Sequence, residues 1–378
     1  MTGAARTAAI RTDTVRTAAA RTGTVRTAIV GGGLAGAALA WRLTELGLKP
    51  TLFTSEQGRR TDATQASGGL LRGFETDPAR ARAAAESLAE LRASPLLRGW
   101  ADYRELDSTV VLPPGTDPAA LHTVLRLLDE LLPGSAELRQ LPDLKPFLDL
   151  PPGSVAVVER QAGYLSPAAL RDALLAQAVR AGATVRTDPV LRVLPEGTVR
   201  TAGGATAEYD TVVLATGPWT PGLLAAWGLP GGGLRSKRIQ YTLGRGTPPG
   251  LGAFVDETCG LYGRPAGPGR FLLGLPTDEW DVDPAAPRTD ADLARRVAEL
   301  AAQRLGLDSW PGPDAVTVAA ADCYAPAGGL RLRACLPGAA LLSFTGGTGG
   351  AAKYALLAAR SAAAAVFSGE TPDEDLPS

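Results

Sequence analysis

The stretch Thr27-Ala28-Ile29-Val30-Gly31-Gly32-Gly33-Leu34-Ala35-Gly36 decides the fold of this chain. A short apolar run reads as a β-strand, three glycines break it, and helical apolar spacing follows. In a strand–turn–helix unit of this kind each spaced glycine has its own task. Gly31 permits the tight turn, Gly33 lets backbone approach a pyrophosphate, and Gly36 lets the helix lie close on the strand. Leu34 and Ala35 open the helix, whose unpaired N–H groups and positive dipole end attract an anion. The stretch therefore predicts a dinucleotide site on a parallel α/β sheet, with a ligand-free tight turn as the alternative. Such sites hold the ribose with an acid at the end of the second strand. Thr54-Ser55-Glu56 stands at that point here. Either Glu56 reaches the ribose from two residues further on, or Thr54 binds it with a hydroxyl and Glu56 is a solvated loop carboxylate.

Two further glycine-bearing segments extend the reading. Thr211-Val212-Val213-Leu214-Ala215-Thr216-Gly217 reads as a strand whose end needs a glycine where backbone meets ligand. Flavoproteins with two dinucleotide folds carry an Ala-Thr-Gly strand end beside the cofactor, so the pair of motifs favours FAD over NAD. Ser343-Phe344-Thr345-Gly346-Gly347-Thr348-Gly349-Gly350 leads into a helix carrying Lys353 and Tyr354. The N–H groups of Gly347, Thr348, Gly349 and Gly350, with the helix end, suit negative charge on the pyrimidine edge of a reduced flavin. A flexible turn is the plain alternative.

Helical spacing recurs at 34–46, 77–92, 118–132, 167–181, 290–305 and 351–367. Ser166-Pro167 supplies an N-cap followed by a first-turn proline. Strand-like runs fall at 51–54, 108–112, 154–158, 184–187, 211–215, 238–243, 271–273 and 340–344. The alternation predicts a Rossmann-like FAD-binding domain (α/β) assembled from discontinuous segments 26–78, 154–227 and 320–370. Segments 79–153 and 228–319 then fall in an inserted second domain. Residues 1–25 carry a pentapeptide repeat beginning Arg-Thr, whose period fits neither helix nor strand, and read with 371–378 as tails.

Composition removes several classes of function. A net charge of -1 over 378 residues predicts no nucleic-acid surface. Three cysteines, Cys259, Cys323 and Cys335, are too few and scattered for a disulfide framework or zinc site. The single histidine, His122, argues against a histidine-based triad, and no metal is expected. No apolar run reaches the ~18 residues that span a bilayer, and no signal-peptide pattern is evident, so a cytoplasmic location is expected.

The motifs in their order resemble the D-amino-acid oxidase superfamily of FAD-dependent oxidoreductases, nearest its sarcosine oxidase and glycine oxidase branch. Besides the three glycine segments, the resemblance rests on Ala66-Ser67-Gly68-Gly69-Leu70-Leu71-Arg72, Gly163-Tyr164-Leu165-Ser166-Pro167, Pro218-Trp219 and Gly260-Leu261-Tyr262-Gly263-Arg264-Pro265. It implies FAD contacts from Ser67, Gly68 and Trp219, and that 79–153 and 228–319 form an inserted antiparallel-sheet substrate domain of α+β type, whose sheet roofs the flavin. It also implies that Arg72 and Lys353 grip a substrate carboxylate, a task suited to guanidinium and ammonium groups. A structural salt bridge for Arg72 and an exposed helix charge for Lys353 are the plain alternatives. Tyr262 is a candidate pocket wall, with core packing as its alternative. Cys323 lies near the cysteine that forms a thioether to the flavin in sarcosine oxidases. Tyr324 follows it directly rather than two residues later, so a buried free thiol is equally open.

The activity so implied is oxidation of the C–N bond of an amino acid, imino acid or similar carboxylated amine. Hydride leaves the α-carbon for the flavin, driven by the neutral amine's lone pair, and an imine results. The electron acceptor stays open between O2 and another molecule. The lysine that assists oxygen in sarcosine oxidases falls on Leu272, and a nearby histidine falls on Pro276. Two rival readings are a flavin monooxygenase, which would carry Gly-Asp before its last helix, and a non-catalytic FAD-binding subunit of an electron-transfer complex.

Overall fold

The strand Thr27–Val30 is buried along its whole length because it is central in a sheet covered on both faces. A computed structural model describes residues 25–55, 62–140, 144–326 and 328–370. The repeat before residue 25, Glu56 and residues 371–378 lie outside the described residues. Thr27–Val30 pairs in parallel with Thr51–Phe53 on one side and Thr211–Leu214 on the other. Leu341–Thr345 and Thr184–Arg186 extend the parallel sheet, and Arg331–Ala334 closes one edge antiparallel. The helices Leu34–Glu45, Pro167–Arg180 and Ala351–Ser368 share an apolar core with one face, through Ile29, Leu39, Leu174 and Leu356. The other face packs beneath a three-stranded antiparallel sheet, Val190–Val193, Thr198–Thr201 and Thr206–Glu208. Burial of each Leu or Ile side chain contributes about 1.5–3 kcal/mol, so this two-sided covering holds the cofactor-facing turns in place.

A second sheet has nine strands. Its order is Val316–Tyr324, Arg235–Arg245, Arg270–Gly274, Leu261–Pro265, Ala253–Asp256, Arg104–Leu112, Val155–Tyr164 and Leu70–Leu71, with Ala136–Gln140 also on Val155–Tyr164. Every pairing is antiparallel except that between Ala253–Asp256 and Arg104–Leu112. Together the sheets form a Rossmann-like parallel α/β unit joined to a mainly antiparallel sheet. The helix starts agree with the sequence patterns because the caps are local. Asp77, Ser166 and Asp290 accept from the backbone N–H three residues on, and prolines follow Asp77 and Ser166 at the first turn.

The second sheet departs from the sequence reading in several places. Leu70–Leu71, Ala136–Gln140, Ala253–Asp256 and Leu261–Pro265 are strands outside the strand-like runs of the sequence, and two further strands differ as well. The strand read as 154–158 runs on as Val155–Tyr164 and joins the nine-stranded sheet, not the parallel one. Val316–Tyr324 is also a strand of the nine-stranded sheet, despite an Ala-rich centre with little β-propensity. Both are held by long pairings that local propensity does not report. His122 is exposed, its Nδ1 2.6 Å from the Pro118 carbonyl oxygen within its own helix.

Candidate functional site

One cavity of about 940 Å³ is lined by residues of both sheets. On its wall stand Gly31, Gly33, Leu34 and Ala35, with Thr54 and Ser55. Gly31 has φ +118°, and a Cβ there would lie 2.3 Å from the Ala215 carbonyl oxygen. Gly36 stands behind the cavity, where a Cβ would meet the Gly31 carbonyl oxygen at 2.0 Å. No side chain fits at either point, and the helix starts close on the strand for that reason. Leu34 N–H donates to Thr64 Oγ1 at 3.0 Å, so a neutral hydroxyl stands at the helix end. Thr54 packs its side chain on Gly32, where a Cβ would approach Thr54 Oγ1 to 2.4 Å, and its hydroxyl donates to the Ser55 carbonyl. Ser67, Gly68, Ala215, Thr216, Gly217 and Trp219 also line the wall.

The glycine turn before the last helix also lines the cavity, but its donors are largely engaged. Gly349 N–H donates to Asp322 Oδ2 at 3.0 Å, Thr348 N–H to the Cys323 carbonyl at 3.1 Å, and Gly350 N–H to the Gly347 carbonyl at 2.9 Å. Of the four N–H groups, those of Thr348, Gly349 and Gly350 thus have partners within the fold. The turn folds back on itself and on the neighbouring strand, because Thr348 at φ +50° and Gly349 at φ +74° reverse the chain.

Elsewhere on the wall Arg72 and Lys353 come together. They belong to different elements, the segment after Leu70–Leu71 and the first turn of Ala351–Ser368. Arg72 Nη2 lies 3.0 Å from Glu75 Oε1, and Lys353 Nζ pairs with that same oxygen. All three side chains are mostly buried. Gly350 makes room for this, since a Cβ there would lie 2.8 Å from Lys353 Cε. Burial pulls the Lys353 ammonium down to about 8, and the Arg72 cation adds to that, against the opposing pull of Glu75. Burial alone would raise Glu75, but Arg72 and Lys353 outweigh it and hold the carboxyl below its ordinary range.

Tyr262 lines the cavity, its hydroxyl donating to the Gln240 carbonyl at 3.2 Å and its ring lying against Gly274. Cys323 does not line the cavity. On the strand Val316–Tyr324 the side chains of Asp322 and Tyr324 face it, and the pleat turns Cys323 the other way, into the apolar cluster with Val30, Leu234 and Leu341. The expectation of a thioether through Cys323 is therefore corrected. Burial also pushes this thiol up to about 11, which keeps it protonated and a poor nucleophile.

Sequence reading missed Glu75, Glu257 and Tyr241, all on the cavity wall. Glu75 had one available signal, its position three residues after Arg72 on the same turn. Glu257 sits in the turn between Ala253–Asp256 and Leu261–Pro265, at the rim. Burial raises its pKa, opposed by the charges of Arg72 and Lys353. Among the described residues no cluster of side chains could hold a metal ion, and no helix is long and apolar enough to cross a membrane.

The family model for the FAD dependent oxidoreductases called DAO matches residues 26–365, and the chain belongs to that family. No curated protein matches the sequence. Among solved structures, the L-proline dehydrogenase from P. horikoshii superposes with TM-score 0.75 at 17% identity, covering 92% of this chain and 95% of that one. The glycine oxidase from Geobacillus kaustophilus gives 0.74 at 20% identity, covering 93% and 96%. The L-alpha-glycerophosphate oxidase from Mycoplasma pneumoniae, with FAD bound, gives 0.72 at 17%, covering 92% and 95%. These likenesses establish a common fold, and the family match makes the chain an FAD-dependent oxidoreductase. The residues present fit the cofactor: the cavity is large, Gly31 and Gly36 admit no side chain at the fingerprint, and a helix N-terminus opens onto it.

Proposed function

We propose that this chain oxidises the carbon–nitrogen bond of an amino acid, imino acid or similar small carboxylated amine. One observation carries the reading: Arg72 and Lys353, from different elements, meet on a single carboxylate oxygen in the cavity wall. Glu75 supplies that oxygen in the free protein, and a substrate carboxylate competes for the same two cations. Charge-assisted bonds from a guanidinium and an ammonium are strong enough to orient a small molecule by its acid group. Gly31–Ala35 and Thr54 are the residues we assign to the pyrophosphate and ribose, and Ala215–Gly217 and Gly347–Gly350 to the flavin.

Bound FAD supplies the two-electron acceptor. The protein holds the carboxylate, so that the α-carbon is presented in one orientation, and Tyr241 and Tyr262 wall the space beside it. No general base is needed when the amine enters unprotonated, in keeping with a cavity that contains no histidine among its lining residues. The amino-acid reactions named for the proline dehydrogenase and the glycine oxidase support this choice of substrate. O2 and an artificial acceptor are the two arms for the second half of the reaction. Leu272, where sarcosine oxidases have lysine, is fully buried and does not line the cavity.

The test is a bleaching screen under nitrogen. FAD-loaded protein is mixed with amino acids, imino acids and N-alkyl amino acids, with their decarboxylated analogues and with glycerophosphate. Loss of the visible flavin band with a carboxylated amine, and not with its decarboxylated analogue, is the expected result. Bleaching by glycerophosphate alone, or by amines regardless of the carboxylate, would overturn the reading.

A further inference from the structure

The segment that carries Arg72 hangs from a carboxylate outside the cavity. Glu159, on the strand Val155–Tyr164, is 1% exposed and does not line the cavity. Its Oε1 accepts from Gly73 N–H at 2.7 Å, and its Oε2 accepts from Gly73 N–H at 2.9 Å and Phe74 N–H at 2.8 Å. It has no ion pair among the described residues, so its buried charge is met by backbone amides of one turn. Residue 74 then works in both directions. Its N–H goes to Glu159, and its carbonyl accepts from Arg72 Nε at 3.0 Å. With Nε fixed there, the terminal nitrogens of Arg72 are aimed at the oxygen that Lys353 also holds. The turn is fitted to this carboxylate. A Cβ on Gly73 would lie 3.1 Å from Glu159 Oε1 and 3.0 Å from Leu128, and the Phe74 ring is 1% exposed in the cluster with Ala85 and Leu88. Burial raises the Glu159 pKa, and the two amides and Arg72 pull against it.

We propose that Glu159 is a positioning residue for substrate recognition: through the Gly73 and Phe74 amides it sets the aim of the Arg72 guanidinium, and thereby the affinity for a carboxylate. The proposal rests on the clamp reading above. A carboxylate is required because two amide donors converge on it. A carboxamide offers one acceptor oxygen and turns its NH2 group toward the other donor.

Acetate is the probe, titrated into the FAD-loaded protein with the visible flavin spectrum as the signal, and acetamide is the uncharged control. The unmodified protein is expected to respond to acetate alone. Glu159→Gln should retain FAD and weaken acetate about tenfold, equivalent to about 1.4 kcal/mol. Placed on top of Arg72→Ala, the same substitution should change acetate affinity no further, because its effect travels through Arg72. Acetate affinity unchanged in Glu159→Gln would overturn the proposal, as would a full additional loss in the Arg72→Ala background. Should Glu159→Gln give no soluble FAD-loaded protein, Glu159→Asp keeps the charge and withdraws it by one methylene. A weaker acetate response in that variant supports the proposal, and an unaltered one overturns it. The clamp reading fails separately, if Arg72→Ala itself leaves the acetate response intact.

Discussion

Two parts of the cavity wall, the glycine fingerprint and the Arg72–Lys353 clamp, are built on opposite plans. At the fingerprint, backbone does the work: Gly31 and Gly36 are present because no Cβ can stand there, and the neighbouring strands hold the turn by parallel pairing. At the clamp, side chains do the work. Arg72 and Lys353 lie 281 positions apart in the chain and meet only because two sheets and the last helix converge. A site made of backbone is specified by where a side chain is forbidden. A site made of side chains is specified by where distant elements place them. The first tolerates no substitution, and the second should respond by degrees.

Gly31→Ala gives the largest expected effect. It forces a Cβ into a residue at φ +118° and to 2.3 Å from a backbone oxygen. Overpacking of this kind costs about 1–3 kcal/mol, and here it moves the turn that meets the cofactor. The purified variant should be colourless and fail to take up added FAD, measured as flavin absorbance per chain. A yellow Gly31→Ala protein would break the contrast between the two parts.

Next in size is Arg72→Ala, which should keep its flavin and lose roughly 2–5 kcal/mol of affinity for carboxylated ligands. Lys353→Ala should lose less, and the double variant should fall short of the sum because both cations act on one group. Equal losses for carboxylated and decarboxylated substrates would make Arg72 a structural ion pair instead.

A smaller, graded effect comes from pH. Lys353 titrates at about 8, below an ordinary lysine, so carboxylate affinity should fall as pH rises through that value and the ammonium loses its proton. Glu75→Gln should move the midpoint to lower pH, because the Glu75 charge is what favours the ammonium. Affinity flat from pH 7 to 9.5 would remove Lys353 from the clamp.

The smallest effect is expected at Cys323. Acid precipitation of the unmodified protein should leave the yellow colour in the supernatant, and Cys323→Ser should alter neither FAD content nor ligand binding. Colour retained in the pellet and released by that substitution would show a covalent link after all.

The same contrast explains what could be read from sequence. Glycine spacing from Gly31 to Gly36 carries a backbone requirement directly, so the fingerprint was legible along with the capped helices beginning near Pro78 and Pro167. Arg72 and Lys353 stood out through the family resemblance alone. Glu75 and Glu159 did not, since a lone glutamate forms no pattern. Glu75 gains its meaning from a helix 278 residues away, and Glu159 from amides 85 and 86 residues back. The strands of the second sheet were read incompletely for the same reason, as Ala319-Ala320-Ala321 is held in Val316–Tyr324 by pairing with Gln240, Ile239 and Arg238.

The strand Val316–Tyr324 obeys a rule of parity. Near its end the even-numbered positions, Asp322 and Tyr324, belong to the cavity, and the odd-numbered Cys323 belongs to the core. A thiol one residue away from the wall is as remote from a bound group as one on another element, because reaching it requires a slip that would turn every neighbour over with it. Attachment of a cavity-bound group to this strand is thus decided by counting in twos, and Cys323 falls on the wrong count.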